Sequence, residues 1–77
     1  MTAIEPVIEI DCRLLEPPEP MVLVLEAVAQ LRAGQKIRMI HRHRPMPLLP
    51  RLTQLGCGYR LEDHSTHVEL WIWKDQP

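Results

Sequence analysis

Proline is the residue that most limits where regular structure can form in this chain. The 77-residue sequence contains eight prolines, and six of them fall within two short segments, 17–20 and 45–50. Proline fixes φ, lacks a backbone N–H and disfavours the helical region for the residue before it. It is accepted in the first turn of a helix. The two segments therefore divide the chain into short elements and mark where helices begin.

Hydrophobic periodicity between the prolines predicts six elements in the order β-α-β-α-β-β. The predicted bounds are a strand over 7–10, a helix over 18–32, a strand over 36–41, a helix over 47–55, and strands over 59–62 and 67–74. Gly34 is expected to end the first helix as a left-handed C-cap. The glycines on either side of Cys57 are expected to end the second helix.

Two helices cannot cover both faces of a four-stranded sheet in a chain of this length. We therefore predict an α+β fold, a two-layer α/β sandwich with a four-stranded mixed sheet and two helices on one face. Residues 1–77 are expected to form a single domain, because a chain this short has material for one core. The second face of the sheet is left exposed or used in association.

The last predicted strand directs Trp71 and Trp73 to the uncovered face, where Lys36 and Arg38 can join them. Paired exposed indoles are typical of contact sites, although the stems of long charged side chains can cover them. Base stacking on single-stranded RNA is a third alternative. The first helix is apolar on most sides, so either the domain covers it more fully than a two-layer fold should, or its first turns, with Met21, belong to an interface. A homodimer through these surfaces stays open.

Charge is strongly segregated along the chain although the formal net charge is only −1. Residues 4–26 contain six acids and one base, whereas residues 31–51 contain six bases and no acid. The two blocks either pair with each other or leave an anion-binding face. Nucleic acid is not favoured, because the whole chain is not basic. The longest apolar run, residues 21–25, is too short to span a membrane, and we expect a cytoplasmic protein.

The histidines do not form a complete metal site in the sequence. Four histidines flank predicted strand ends: His41, His43, His64 and His67. Zinc requires three or four ligands, and Cys57 or Asp63 are the candidates to complete a set. Arg42 and Arg44 beside the first histidine pair would repel a dication. We therefore predict no metal and no other cofactor.

The segment from Ile10 to Met21 resembles the signature of the TusA-like (SirA-like) sulfur carriers. In that family a strand leads to Gly-Leu-x-Cys-Pro-x-Pro at the start of the first helix. Pro18-Glu19-Pro20 matches the Pro-x-Pro, but Pro17 stands at the position of the sulfur-carrying cysteine. The resemblance implies the two-layer sandwich and makes a persulfide carrier that uses Cys12 or Cys57 the alternative function. Neither thiol has the cationic, exposed surroundings of a reactive cysteine in the sequence.

The chain also resembles the family called domain of unknown function 2249. The similarity rests on Asp11, Arg13, the segment 17–19 and a later His-x-Pro-x-Pro-Leu that begins at His43. Family members usually have acids beside that histidine, whereas this chain has arginines. The resemblance implies a bacterial protein of no settled activity, whereas the TusA-like resemblance covers essentially the whole chain.

Together these features predict a small non-enzymatic binding or adaptor domain. The predicted site residues are Arg42, His43 and Arg44 in the loop over 41–47, and Pro17, Pro18 and Glu19 at the helix start. Basic side chains and backbone N–H groups at a helix start can both receive negative charge. The expected ligand is a small anion or a partner protein.

Overall fold

The computed structural model describes residues 7–74. The elements are β1 (Val7–Asp11), α1 (Glu19–Ala29), β2 (Lys36–His41), α2 (Leu48–Gln54), β3 (Cys57–Asp63) and β4 (Val68–Lys74). The strands form one sheet in the order β1-β2-β4-β3, in which only β1 and β2 are parallel. This confirms the predicted α+β fold and element order. Within residues 7–74, neither helix is long and apolar enough to cross a membrane.

Both helices cover the same face of the sheet. The register places Ile37 opposite Ile72, and Met39 opposite Leu70, so these four side chains share one face. They are almost fully buried in a single cluster. The helices contribute Val24, Val28, Leu48 and Leu52 to that cluster. The other face of the sheet, here called the open face, has no helix over it among the described residues.

The first helix ends three residues before its predicted end. The residues that follow the helix form a turn of their own.

 The last residue of α1 is Ala29, and the C-cap is Gln30. In that turn the Arg32 backbone N–H donates to Gln35 Oε1 at 2.7 Å, and the Gln35 N–H donates to the Arg32 carbonyl at 3.0 Å. Gly34, with φ +88°, serves this turn and is not the helix C-cap.

The third strand is longer than predicted and includes Cys57. This residue begins β3 opposite Lys74 and does not belong to the turn that ends α2. Gly56, with φ +78°, makes the change of direction alone. The strand is extended because its pairing with β4 continues to the end of both strands.

Candidate functional site

A cleft of about 410 Å³ opens between the segment that leads into α1 and the loop that follows β2. Five prolines line it, and we call it the proline cleft: Pro17, Pro18, Pro20, Pro45 and Pro47. It lies at the carboxyl ends of the parallel strands β1 and β2. This is the edge at which open α/β sheets commonly bind ligands. The fold thus brings together the two segments that the sequence predicted as one site.

At the start of α1, the wall of the cleft consists mainly of proline rings and offers few hydrogen-bond donors. Pro18 is the N-cap, and Pro20 in the first turn has no N–H. The N–H of Glu19 already donates to the carbonyl of Glu16 at 2.9 Å. The prolines that fix the helix start therefore remove most of the free donors with which such a start binds anions. An anion in the cleft depends on side chains from the opposite wall.

His41 supplies a buried polar group to the proline cleft. It is the last residue of β2, only 8% exposed, and its Nδ1 accepts a hydrogen bond from the Arg42 backbone N–H at 2.9 Å. Burial lowers the pKa of His41, and the nearby His43 and Arg42 lower it further. The imidazole is therefore neutral at pH 7, with its proton on Nε2. His41 offers the cleft one N–H donor.

The basic loop residues differ in how their charges are used. The Arg44 guanidinium forms a two-point ion pair with Asp63 at the end of β3, and its Nε lies 3.1 Å from Oδ1. This pair fastens the loop to the β3–β4 hairpin. Arg42 is exposed, and its side chain has no ion pair within residues 7–74. Arg42 is therefore the cation available at the rim of the cleft.

The predicted site residues do not all reach the proline cleft. Its lining includes Pro17, Pro18, Arg42, His43 and Arg44, whereas Glu19 is exposed outside it. Met21, predicted at an interface, also lines the cleft. Sequence reasoning missed the roles of Glu16 and His41 here. The available signal for the buried histidine was the period of two along β2, which places His41 on the face that the helices cover.

Trp71 and Trp73 lie on the open face, on the side opposite the cleft. The register places Arg38 beside Trp71, and the guanidinium carbon is 5.8 Å from the ring centroid. Trp73 lies across Gly58, where an added Cβ would be 2.4 Å from the indole Nε1. Both indoles are only half-exposed as a result. The open face is therefore covered in part by its own side chains.

An ion-pair network occupies the middle of the open face. Arg38 donates to both oxygens of Glu69, with Nε to Oε1 at 3.1 Å and the second contact at 2.7 Å, and it also pairs with Glu9. These hydrogen bonds, with a further one from His67, lower the pKa of Glu69 to about 2. The acidic and basic blocks of the sequence meet here, since Glu9 belongs to one and Arg38 to the other.

Both thiols are buried. Cys12 is fully buried, and its pKa is raised by burial and by the charges of Asp11 and Glu19. Cys57 is 6% exposed at the start of β3. A persulfide carrier needs an accessible thiolate. Neither cysteine lines the proline cleft.

The molecule is thus a small α+β sandwich whose proline cleft lies at the ends of its parallel strands. The chain belongs to the family described as uncharacterized conserved protein (DUF2249), whose family model matches residues 9–74. The match includes both walls of the proline cleft and all of the ion-pair network. Searches of curated proteins and of solved structures found no match.

Proposed function

We propose that this chain is a non-enzymatic binding or adaptor domain, and that its proline cleft receives a segment of a partner protein. The segment would place an apolar side chain in the cleft and a carboxylate at its rim. One observation carries the proposal: an apolar cleft holds the neutral donor His41, and the unpaired cation Arg42 stands at its edge.

The apolar lining favours a ligand with apolar surface of its own. Besides the prolines, the lining includes Leu15, Met21, Met39 and Leu48. Ligand sites in proteins are mostly apolar with a few polar groups that set orientation. A phosphate or sulfite ion would leave this apolar surface uncovered, so a protein segment fits the cleft better than a small inorganic anion does.

The polar groups of the cleft favour a negative group on that segment. Arg42 can donate two parallel hydrogen bonds to a carboxylate, a geometry that a guanidinium provides and an ammonium does not. His41 adds a neutral donor, which costs less to desolvate than a charged one. The one acid in the lining, Glu16, would disfavour a highly charged ligand through like-charge repulsion.

The composition of the lining favours binding over catalysis through a serine, threonine, cysteine or lysine nucleophile. The described residues that line the cleft include no serine, threonine, cysteine or lysine. These residue types supply most side-chain nucleophiles. The sulfur-transfer alternative would require one of two thiols that lie outside the cleft.

The test is an NMR titration of the intact chain with a short peptide that contains leucine next to glutamate. We expect shifts in the methyl signals of Met21, Met39 and Leu48. Arg42→Gln should weaken binding by about 10-fold or more, because a hydrogen bond to a charged group contributes about 1.5–3 kcal/mol. Arg32→Gln is the matched control, since it removes the same charge from an exposed position beyond α1.

Three outcomes would contradict the proposal. The first is a peptide titration that leaves the cleft signals unchanged. The second is a gain of one sulfur atom after incubation with a cysteine desulfurase and a sulfur donor, lost in Cys12→Ser or Cys57→Ser. The third is quenching of the Trp71 and Trp73 fluorescence by single-stranded RNA, which would favour an RNA-contacting module.

A further inference from the structure

The open face carries a second group of side chains that the proline cleft does not use. We infer that His64, His67 and Glu69 form a binding site for a divalent transition-metal ion, with Zn²⁺ as the ion that fits best. The site is independent of the proposed function, because it lies on the other face of the sheet. Within residues 7–74 it is the one group of three metal-ligating side chains with ligand atoms this close together.

The hairpin turn between β3 and β4 brings the two histidines together. The His64 backbone N–H donates to the His67 carbonyl at 2.9 Å and closes the turn. The two imidazole rings stack with their centroids 4.7 Å apart and their planes 16° from parallel. The spacing of three residues thus places both rings on the same side of the turn.

Both rings direct a nitrogen toward one carboxylate oxygen. Oε2 of Glu69 lies 3.2 Å from His67 Nε2 and 3.7 Å from His64 Nε2. The three ligand atoms lie within 4.8 Å of one another. Ligands of tetrahedral zinc, at about 2.0–2.2 Å from the ion, are separated by roughly 3.3 Å. Closure of the exposed turn, together with rotation of the stacked rings so that their nitrogen lone pairs converge, would bring the three atoms to coordinating distance.

Neighbouring hydrogen bonds hold two of the ligands in place. Arg38 fixes the carboxylate of Glu69 through two contacts. Thr66 Oγ1 lies 3.1 Å from His67 Nδ1 and can accept the ring proton there when a metal ion replaces the hydrogen bond between His67 Nε2 and Glu69. Hydrogen-bonded partners of this kind orient the ligands in most protein metal sites.

The charges around this group do not exclude a cation. The positive charge of Arg38 is opposed by Glu9 as well as by Glu69. Glu62 lies 3.6 Å from His64 Nε2, although it also pairs with Arg60. The three carboxylates therefore outnumber the two guanidinium groups. The sequence paired these histidines with Cys57 or Asp63, but Asp63 is engaged by Arg44 and Glu69 takes the third position.

Zinc suits this set because it accepts imidazole and carboxylate ligands and has no strong geometric preference. Three protein ligands would leave a fourth position for water or for a group from another molecule. His64 is exposed and His67 is partly exposed, so an ion can enter from solvent.

The test is calorimetric titration of the intact chain with Zn²⁺, with the imidazole signals followed by NMR. We expect one ion per chain, with shifts at His64 and His67 and none at His41 or His43. His64→Gln and His67→Gln should each weaken binding by more than about 100-fold, since loss of a residue that only hydrogen-bonds to a metal ligand already costs 10–100-fold. His43→Gln is the matched control and should bind as the natural chain does.

Two results would overturn this inference. One is the absence of zinc binding by the natural chain. The other is binding that survives both His64→Gln and His67→Gln, or that is lost in His43→Gln. Both tested histidines lie at the exposed turn, so we expect each variant to keep the fold. Amide spectra check this expectation.

Discussion

The two faces of the sheet each carry one pair of histidines near the same end of β2 and β4, but in opposite electrostatic surroundings. His41 and His43, on the cleft side, have rings 6.0 Å apart and are flanked by arginines. His64 and His67, on the open face, stack at 4.7 Å beside carboxylates.

This difference shows that neighbouring charge decides what a histidine pair can bind. Burial, with the nearby His43 and Arg42, lowers the pKa of His41 and keeps it neutral, and Arg42 adds the positive charge on which the proposed binding of a negative group rests. Carboxylates beside His64 and His67 instead provide the negative surroundings on which the inferred metal site rests. The same residue type therefore has opposite electrostatic surroundings on the two sides of one sheet.

Truncation of a buried side chain beneath the proline cleft is expected to have the largest effect on stability. Leu48 is fully buried and lines the cleft, so Leu48→Ala should lower the free energy of unfolding by about 2–5 kcal/mol. Chemical denaturation measures the loss. Leu55→Ala, at an exposed leucine just after α2, should cost less than about 0.5 kcal/mol. Equal losses in the two variants would show that Leu48 does not support the cleft.

A smaller loss is expected when the open face is disturbed. Gly58→Ala places a methyl group against the Trp73 indole and should destabilise the fold by about 1–3 kcal/mol. Replacement of Trp73 by leucine in the same chain should recover part of that loss, which a double-mutant cycle measures. A Gly58→Ala variant as stable as the natural chain would contradict the close packing of the indole on β3.

The smallest expected effect is on the pH dependence of stability, and it concerns the histidine pair of the cleft. Because the pKa of His41 is lowered in the folded state, the unfolded chain takes up the proton first as pH falls below about 6.5. The stability that the neutral His41 contributes is therefore present above pH 6.5 and is lost as pH falls. His41→Gln should flatten the pH dependence of the urea midpoint between pH 7 and pH 5. An unchanged slope would show that another group dominates.

The order and type of all six elements could be predicted from the sequence, because prolines and periodicity act locally. The ends of α1 and β3 could not. Leu31 continues the apolar spacing of α1, yet the turn closed by Arg32 and Gln35 releases it from the helix while it stays buried. Cys57 belongs to β3 because its pairing with β4, which is a non-local contact, continues beyond the segment that the local pattern predicts as a strand.

The candidate site was predicted in part. The proximity of segments 17–20 and 41–47 followed from the parallel pairing of β1 and β2. The prediction did not anticipate that Arg44 would be paired with Asp63, or that Glu69 would join His64 and His67. These contacts depend on the register between strands, which one sequence does not specify.

The proline lining also limits how a partner can be recognised. A segment that docks on a sheet edge gains affinity from main-chain hydrogen bonds, which are similar for every sequence. Pro17, Pro18 and Pro20 on one wall, with Pro45 and Pro47 on the other, have no amide hydrogen to contribute to such a ladder. In the proposed function, a partner segment in this cleft would therefore be selected by its side chains and not by main-chain hydrogen bonds.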